Sequence, residues 1–429
     1  MCFRAATLSP PLQLAMGTPL HIFLRNFVIV ALAAWWFQSK KMRAHNFSAG
    51  PGKTFDDVMY EAQKQLASFD GSGMSIMEMS HRDVGGPVQS MMSGAEADIR
   101  ALLNVPAEGY HVMFMHGGAH AQFAAIPLNV NAKRATYINT GYWSHRARDE
   151  AAKYLTGPDL AIDELNPVTV DPRTGERFIT PPSEWSVHGD SDYVYLCASE
   201  TIDGLEFLDD SILSIPGDIP IVADFTSTLL SRPVDVSKYA MIFASGGKNL
   251  GPSGMTLVIV QDAWVRPGVA NPLTPSIMSW DLAAHSAPIP SVYSTPPTFN
   301  IYMHSLVLKK LVRMGGMSAL EVRATTRADS IYAIIDASEG FYVNTVRRDF
   351  RSRMNVPMRI GGSSGSEPRR DLEEKFTAEA KKAGLLQLFG HKVKGGLRVT
   401  LYNGVNDDSV GLVAQFMLQF AAANRQLLL

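Results

Sequence analysis

Lys248 stands among Gly246, Gly247, Asn249 and Gly251, just after the apolar run Tyr239–Ala244. A lysine between small residues can be approached closely by a ligand, and a desolvated amine suits Schiff-base formation with a carbonyl. Read alone, the same pattern also describes a solvated lysine in a Gly-rich turn. Asp224 lies 24 residues earlier and closes the run Ile219–Ala223. It can cap a following helix through Asp224-Phe225-Thr226-Ser227, or it can face a positive group in a site shared with the lysine. The stretch His116-Gly117-Gly118-Ala119-His120-Ala121-Gln122 is a Gly-rich strand-to-helix turn. Its N–H groups and helix N-terminus favour a phosphate, although it matches neither GxGxxG nor a Walker loop. Trp143 offers a flat face for stacking on a ring or for packing in a core. His81, Arg82 and Arg398 are of the types that grip anions, Arg through paired donors.

The elements that must position these groups are legible as short apolar runs. His111–Met115, Tyr193–Ala198, Ile219–Ala223, Tyr239–Ala244 and Thr256–Val260 are nearly continuous in Val, Ile, Tyr, Phe and Met. Such runs predict strands buried on both faces, hence a mostly parallel sheet covered by helices in an α/β fold. In open sheets of this kind ligands bind beyond the carboxyl ends of the strands. Gly117-Gly118, Thr201, Asp224 and Lys248 all fall just past predicted strand ends. A Pro- and Ser-rich passage from Pro267 to Pro297 reads as an irregular crossing. Beyond it the pattern predicts helices over Phe299–Met314 and Ala319–Ile335. Strands at Phe341–Val343, Asn355–Ile360 and Leu397–Tyr402 follow, with a helix near Leu372–Ala383. The expected organisation is a large domain over 58–310, a smaller α+β domain over 311–429, and a segment 42–57 packing with the smaller one.

With 429 residues, 46% of them hydrophobic and 19% charged, the chain has ample apolar surface for two cores, and disorder, coiled coil and collagen-like repeat are excluded. A net charge of −2 gives no basic field for nucleic acid. The two cysteines, Cys2 and Cys197, form no CxxC or Cys/His cluster, so neither a disulfide framework nor a structural metal is expected, and a reducing compartment, the cytoplasm, is. Residues 1–41 contain no acidic residue and one apolar run, Phe27–Phe37. Eleven residues are too few to span a bilayer, which takes roughly 20. Upstream translated sequence, a membrane anchor, and targeting to mitochondrion or plastid compete for this segment, which stands outside the fold.

Taken in order, Asn46–Pro51 (NFSAGP), Met77–Arg82 (MEMSHR), Gly117–Pro127 (GGAHAQFAAIP), Thr140–Ser144 (TGYWS), Lys248–Gly251 (KNLG), Ser294–Pro297 (STPP) and Gly395–Asn403 (GGLRVTLYN) resemble the phosphoserine aminotransferases. These are class-V, fold-type I enzymes dependent on pyridoxal phosphate. The resemblance runs from about Asn46 to the C-terminus. It implies Lys248 as Schiff-base lysine and proton carrier, Asp224 as partner of the cofactor ring nitrogen, Trp143 as ring-stacking residue, and Thr201 at the phenolic oxygen. It implies Ala119 and His120 at the cofactor phosphate, with Gly247 beside the lysine. Ser294 and Thr295 would complete the phosphate cup from a neighbouring subunit in a homodimer. Arg398 would bind the substrate α-carboxylate, and His81, Arg82, His391 and Lys392 the distal phosphate or γ-carboxylate, with Ala49 nearby. The implied reaction moves an amino group between glutamate and 3-phosphohydroxypyruvate, in serine biosynthesis, and 4-phosphohydroxythreonine would fit the same pocket.

Four departures stand out. Gly247 replaces the family's usual Gln, Ser294 its Asn, Lys392 its Arg and Ala49 its Ser. Each lost hydrogen bond is worth about 1 kcal/mol, so weaker cofactor retention and a looser distal grip are expected. A catalytically degenerate relative acting as a binding partner is the competing reading. A cysteine desulfurase is not, because Cys197 falls inside a predicted strand and Cys2 in the leader.

Overall fold

The computed structural model describes residues 43–210, 215, 218–362, 367–392 and 394–428. The readings made for residues 1–41 and for the Ser363–Ser366 loop lie outside them. Residues His45–Leu429 form one compact unit.

A seven-stranded sheet fills its larger part, from β1 (Tyr110–His116), β2 (Arg134–Ile138), β3 (Ala161–Leu165), β4 (Tyr193–Cys197), β5 (Ile221–Asp224), β6 (Met241–Ser245) and β7 (Met255–Gln261). Their order is β1-β7-β6-β5-β4-β2-β3. Only β7 runs against its neighbours, so six strands end at one rim. Alternate residues of the central strands feed two cores. Val194, Leu196, Ile221, Ala223, Ile242 and Ala244 enter one, while Tyr193, Tyr195, Val222, Met241 and Phe243 enter the other. Burial on both faces is the physical reason the sequence shows apolar runs there instead of alternation.

Helices α1 (Ala119–Asn129) and α2 (Tyr142–Ala151) follow β1 and β2, each starting at the rim. The passage 267–297 holds only the five-residue helix Trp280–Ala284 and isolated turns. Then come α3 (Thr298–Arg313) and α4 (Gly316–Asp336). A second, antiparallel sheet has the order β8-β9-β11-β10, made from β8 (Tyr342–Val343), β9 (Asn355–Ile360), β10 (Phe389–His391) and β11 (Gly395–Thr400). Its core gathers Val356, Met358, Leu397, Val399, Phe376, Met417 and Phe420, together with Phe47. Phe47 follows a short strand, His45–Asn46, that pairs in parallel with Leu385–Leu386. Among the described residues no helix is long and apolar enough to cross a membrane.

Candidate active site

The rim carries the groups expected there. Gly117 turns the chain out of β1 with φ +87°, and a Cβ on it would meet the Ala121 Cβ at 3.1 Å. That turn aims the N-terminus of α1 at a cavity of about 490 Å3, where Gly118, Ala119 and His120 form one wall. Trp143, Thr201, Asp224, Gly247, Lys248, His391, Arg398 and Ala49 line the same cavity. A helix N-terminus with free N–H groups beside an amine, a carboxylate and an indole is a donor set suited to a phosphorylated aromatic carbonyl compound.

The Lys248 Nζ lies 2.5 Å from the Thr201 Oγ1 and 2.9 Å from the Ser227 Oγ, and these two hydroxyls are 2.6 Å apart. It stands 5.3 Å from the centre of the Trp143 ring. Burial pushes the ammonium below its usual basicity, and the negative charge of Asp224 opposes that shift without reversing it. The lysine turn is stitched from both sides: Gly247 N donates to Gly251 O at 2.6 Å, and Gly52 N donates to Gly247 O at 2.7 Å. Gly247 has φ +98°, and a Cβ there would meet the Ser253 Cβ at 3.3 Å. A glutamine at 247 is therefore strained in this backbone, so the departure is built into the shape of the turn.

Asp224 is buried at 4% exposure. Its Oδ1 accepts from Thr226 N at 2.8 Å, ahead of a run of turns and bends over 226–232 where no helix begins, so the helix-capping reading fails and the cavity reading stands. Burial raises its pKa above the ordinary carboxylate value; hydrogen bonds from Thr226 and the charge of Lys248 pull it back in part. A positive ring nitrogen at this carboxylate would favour the ionised form. The Trp143 Nε1 is buried without a partner among the described residues.

Glu200 and Ser227 escaped the sequence reading. Glu200 is fully buried and accepts from Trp143 N and Ser144 N at 2.8 Å and from the Ser144 Oγ at 2.7 Å. It caps α2 from another strand end and so fixes the backbone of Trp143. A Cβ on Gly141 would meet the Glu200 Cγ at 2.7 Å, which explains the glycine at that position. Adjacency to Thr201 was the only sequence signal for Glu200, and for Ser227 it was the position three residues after Asp224. Burial lifts the Glu200 carboxyl to about 7 despite its three donors. A carboxyl raised in the folded state stabilises the fold below its unfolded pKa, and that contribution is lost as pH climbs through the folded value. A rise from 4.5 to about 7 is worth about 3 kcal/mol. Denaturant unfolding of wild type against Glu200→Gln, which cannot ionise, should show wild type losing ground by that order between pH 4.5 and 8. Parallel stabilities across that range would refute the assignment.

Arg398 reaches the cavity from β11, and its Nη1 donates to Thr201 O at 3.2 Å, leaving other guanidinium donors for an anion. Ala49 is held by its carbonyl, which accepts from the Tyr402 hydroxyl at 2.9 Å. His391 packs on Tyr142 with ring centres 5.4 Å apart, and burial lowers its pKa, with Arg398 adding to the effect. Five expected residues do not line this cavity. Lys392 is exposed and borders a separate depression with Arg359 and Arg370. His81 is buried and Arg82 exposed on the 66–86 segment, while Ser294 and Thr295 lie before α3.

The profile of the class-V aminotransferases matches residues 44–379. Phosphoserine aminotransferases from Ralstonia nicotianae and Drosophila melanogaster are each 40% identical, over 89% of this chain and 97% and 99% of theirs. The chain belongs to the phosphoserine aminotransferase family. Family members of known structure agree in shape. The enzyme from Bacillus circulans subsp. alkalophilus superposes with a TM-score of 0.79 at 34% identity, covering 89% of this chain and 99% of that one. The pyridoxal-phosphate-bound enzyme from Trichomonas vaginalis superposes with 0.78 at 32%, covering 88% and 100%. The fold is thus that of a fold-type I aminotransferase.

Proposed function

We propose that this chain transfers an amino group between glutamate and 3-phosphohydroxypyruvate, giving O-phospho-L-serine and 2-oxoglutarate, with pyridoxal phosphate as cofactor. The observation that carries this is the convergence of Lys248, Asp224, Trp143 and the α1 N-terminus on one cavity, with Arg398 at its side. The cofactor supplies an electron-withdrawing ring that stabilises negative charge developing at the substrate Cα. The chain supplies the rest. Asp224 would keep the ring nitrogen protonated, Trp143 would stack on the ring, Thr201 would bond the phenolic oxygen, and the N–H groups of Ala119 and His120 would hold the phosphate. Lys248, made less basic by burial, carries the proton at the substrate Cα, and Arg398 orients the α-carboxylate through paired donors. All of these groups are retained, which weighs against a degenerate relative. The pairing of a free, buried Cys197 with no cysteine framework supports a cytoplasmic, reducing setting.

The working form is a homodimer in this reading. Ser294, Thr295, His81 and Arg82 lie on segments that expose large apolar side chains, Val84 at 81%, Met77 at 55% and Tyr293 at 48%, and a second copy would cover them. Each copy would lend its partner the phosphate-cup residues and the distal cation. The test compares phosphoserine with serine as amino donor, alongside 4-phosphohydroxythreonine. Wild type should prefer phosphoserine by about 10^3-fold or more, and Arg82→Ala should lose most of that preference. Mixing Arg82→Ala chains with Lys248→Ala chains should recover activity that neither has alone. Equal rates on serine and phosphoserine would contradict the substrate, and no recovery on mixing would contradict the shared site.

A further inference from the structure

One buried histidine lies directly beneath the lysine turn. His304, on α3, has no solvent exposure. Its Nδ1 lies 2.6 Å from the carbonyl oxygen of Asn300, so Nδ1 carries the proton and donates. Its Nε2 is left as a bare acceptor, buried and unpartnered among the described residues. The ring edge occupies space that side chains at two glycines would need. A Cβ on Gly246 would meet the Pro252 carbonyl oxygen at 2.2 Å and then the His304 Nε2 at 2.9 Å, while a Cβ on Gly251 would meet the ring Cδ2 first, at 3.1 Å. Those glycines flank Lys248 and are tied by the bonds Gly246 N to Met255 O at 2.8 Å and Gly247 N to Gly251 O at 2.6 Å.

One helical turn before His304, Asn300 holds the far side of the same loop. Its Nδ2 donates to Ser253 O, and a Cβ on Gly254 would meet that nitrogen at 2.5 Å. Residues at i and i+4 share one helix face, so one face of α3 presses the 246–254 turn at two points. The ring is also neutral, since burial drives its pKa down to about 4, so it brings no like charge towards Lys248.

We infer that His304 is a positioning residue for Lys248: its imidazole wedges the Gly246–Gly251 turn so that Nζ stays against Thr201 and Ser227. The inference rests on the reading of Lys248 as the cofactor-binding amine. Competitive acylation of Lys248 in the cofactor-free protein, followed by mass spectrometry, gives the amine's pKa with no cofactor present. Rapid mixing with pyridoxal phosphate then gives the rate of capture. In His304→Ala the turn relaxes and the amine hydrates, so its pKa should climb by about one unit towards the ordinary lysine value. Capture should slow about tenfold. His304→Phe, which keeps the ring's bulk, should leave both within about twofold of wild type. A loss of global stability alone would move neither quantity in folded protein. An Ala variant with the wild-type Lys248 pKa and capture rate would overturn the inference. Should Ala not fold, a folded Phe variant with an ordinary lysine pKa would overturn it instead. Failure of wild type to capture the cofactor indicts the assignment of Lys248, while the labelling pKa still reads the wedge.

Discussion

Lys248→Ala should lower amino transfer by about 10^4-fold or more while the protein stays folded, because the proposed mechanism gives one residue the roles of both cofactor anchor and proton carrier. The amine is held by the hydroxyls of Thr201 and Ser227 at 2.5 and 2.9 Å, and removing it leaves those hydroxyls paired with each other at 2.6 Å. The fold therefore loses little. Steady-state assays with phosphoserine and 2-oxoglutarate, set beside thermal unfolding, separate the two effects. A variant retaining a tenth of wild-type turnover would remove the lysine from the chemistry.

The second large effect belongs to Asp224→Asn, with opposite signs for activity and stability. The amide keeps an oxygen to accept from Thr226 N but cannot hold a ring nitrogen protonated by charge, so turnover should fall by about 10^2- to 10^3-fold. In the cofactor-free protein the same change removes a buried carboxylate whose pKa burial has raised. The wild-type acid stabilises the fold only while protonated, and that contribution is lost as pH rises through its raised folded value. The Asn variant should thus equal or exceed cofactor-free wild type in stability at pH 8, and the gap should close towards pH 4. Turnover within threefold of wild type, or a cofactor-free Asn variant clearly less stable at pH 8, would contradict the placement of Asp224.

Most interior strands were readable because burial on both faces demands unbroken apolar runs, as in Tyr193–Cys197 and Met241–Ser245; the interior strand Arg134–Ile138 was missed, its buried run opening on Arg134 and broken by Thr136. The edge strand Ala161–Leu165 was not. It lies at intermediate exposure throughout and carries Asp163 and Glu164, so its composition reads as a loop. The antiparallel direction of Met255–Gln261 was equally hidden, since an apolar run does not record which way a strand points. Lys248, Asp224, Thr201 and the Gly117-Gly118 turn could be placed because each follows such a run. Glu200 and Ser227 could not, because their roles come from a hydrogen bond to another strand end and from a side chain 21 positions away. Gly247 read as a missing donor, and its φ of +98° shows a backbone in which a larger residue is strained. His304 gave no signal at all, since a histidine inside an apolar helix face is ordinary until its ring is seen against two glycines.

Borohydride reduction of the yellow, cofactor-loaded protein, followed by peptide mapping, tests the central assignment most directly. The account predicts a single pyridoxyl-phosphate adduct, on Lys248 in the peptide that contains Gly246-Gly247-Lys248-Asn249. An adduct on any other lysine, or none in protein that is catalytically active, would contradict it.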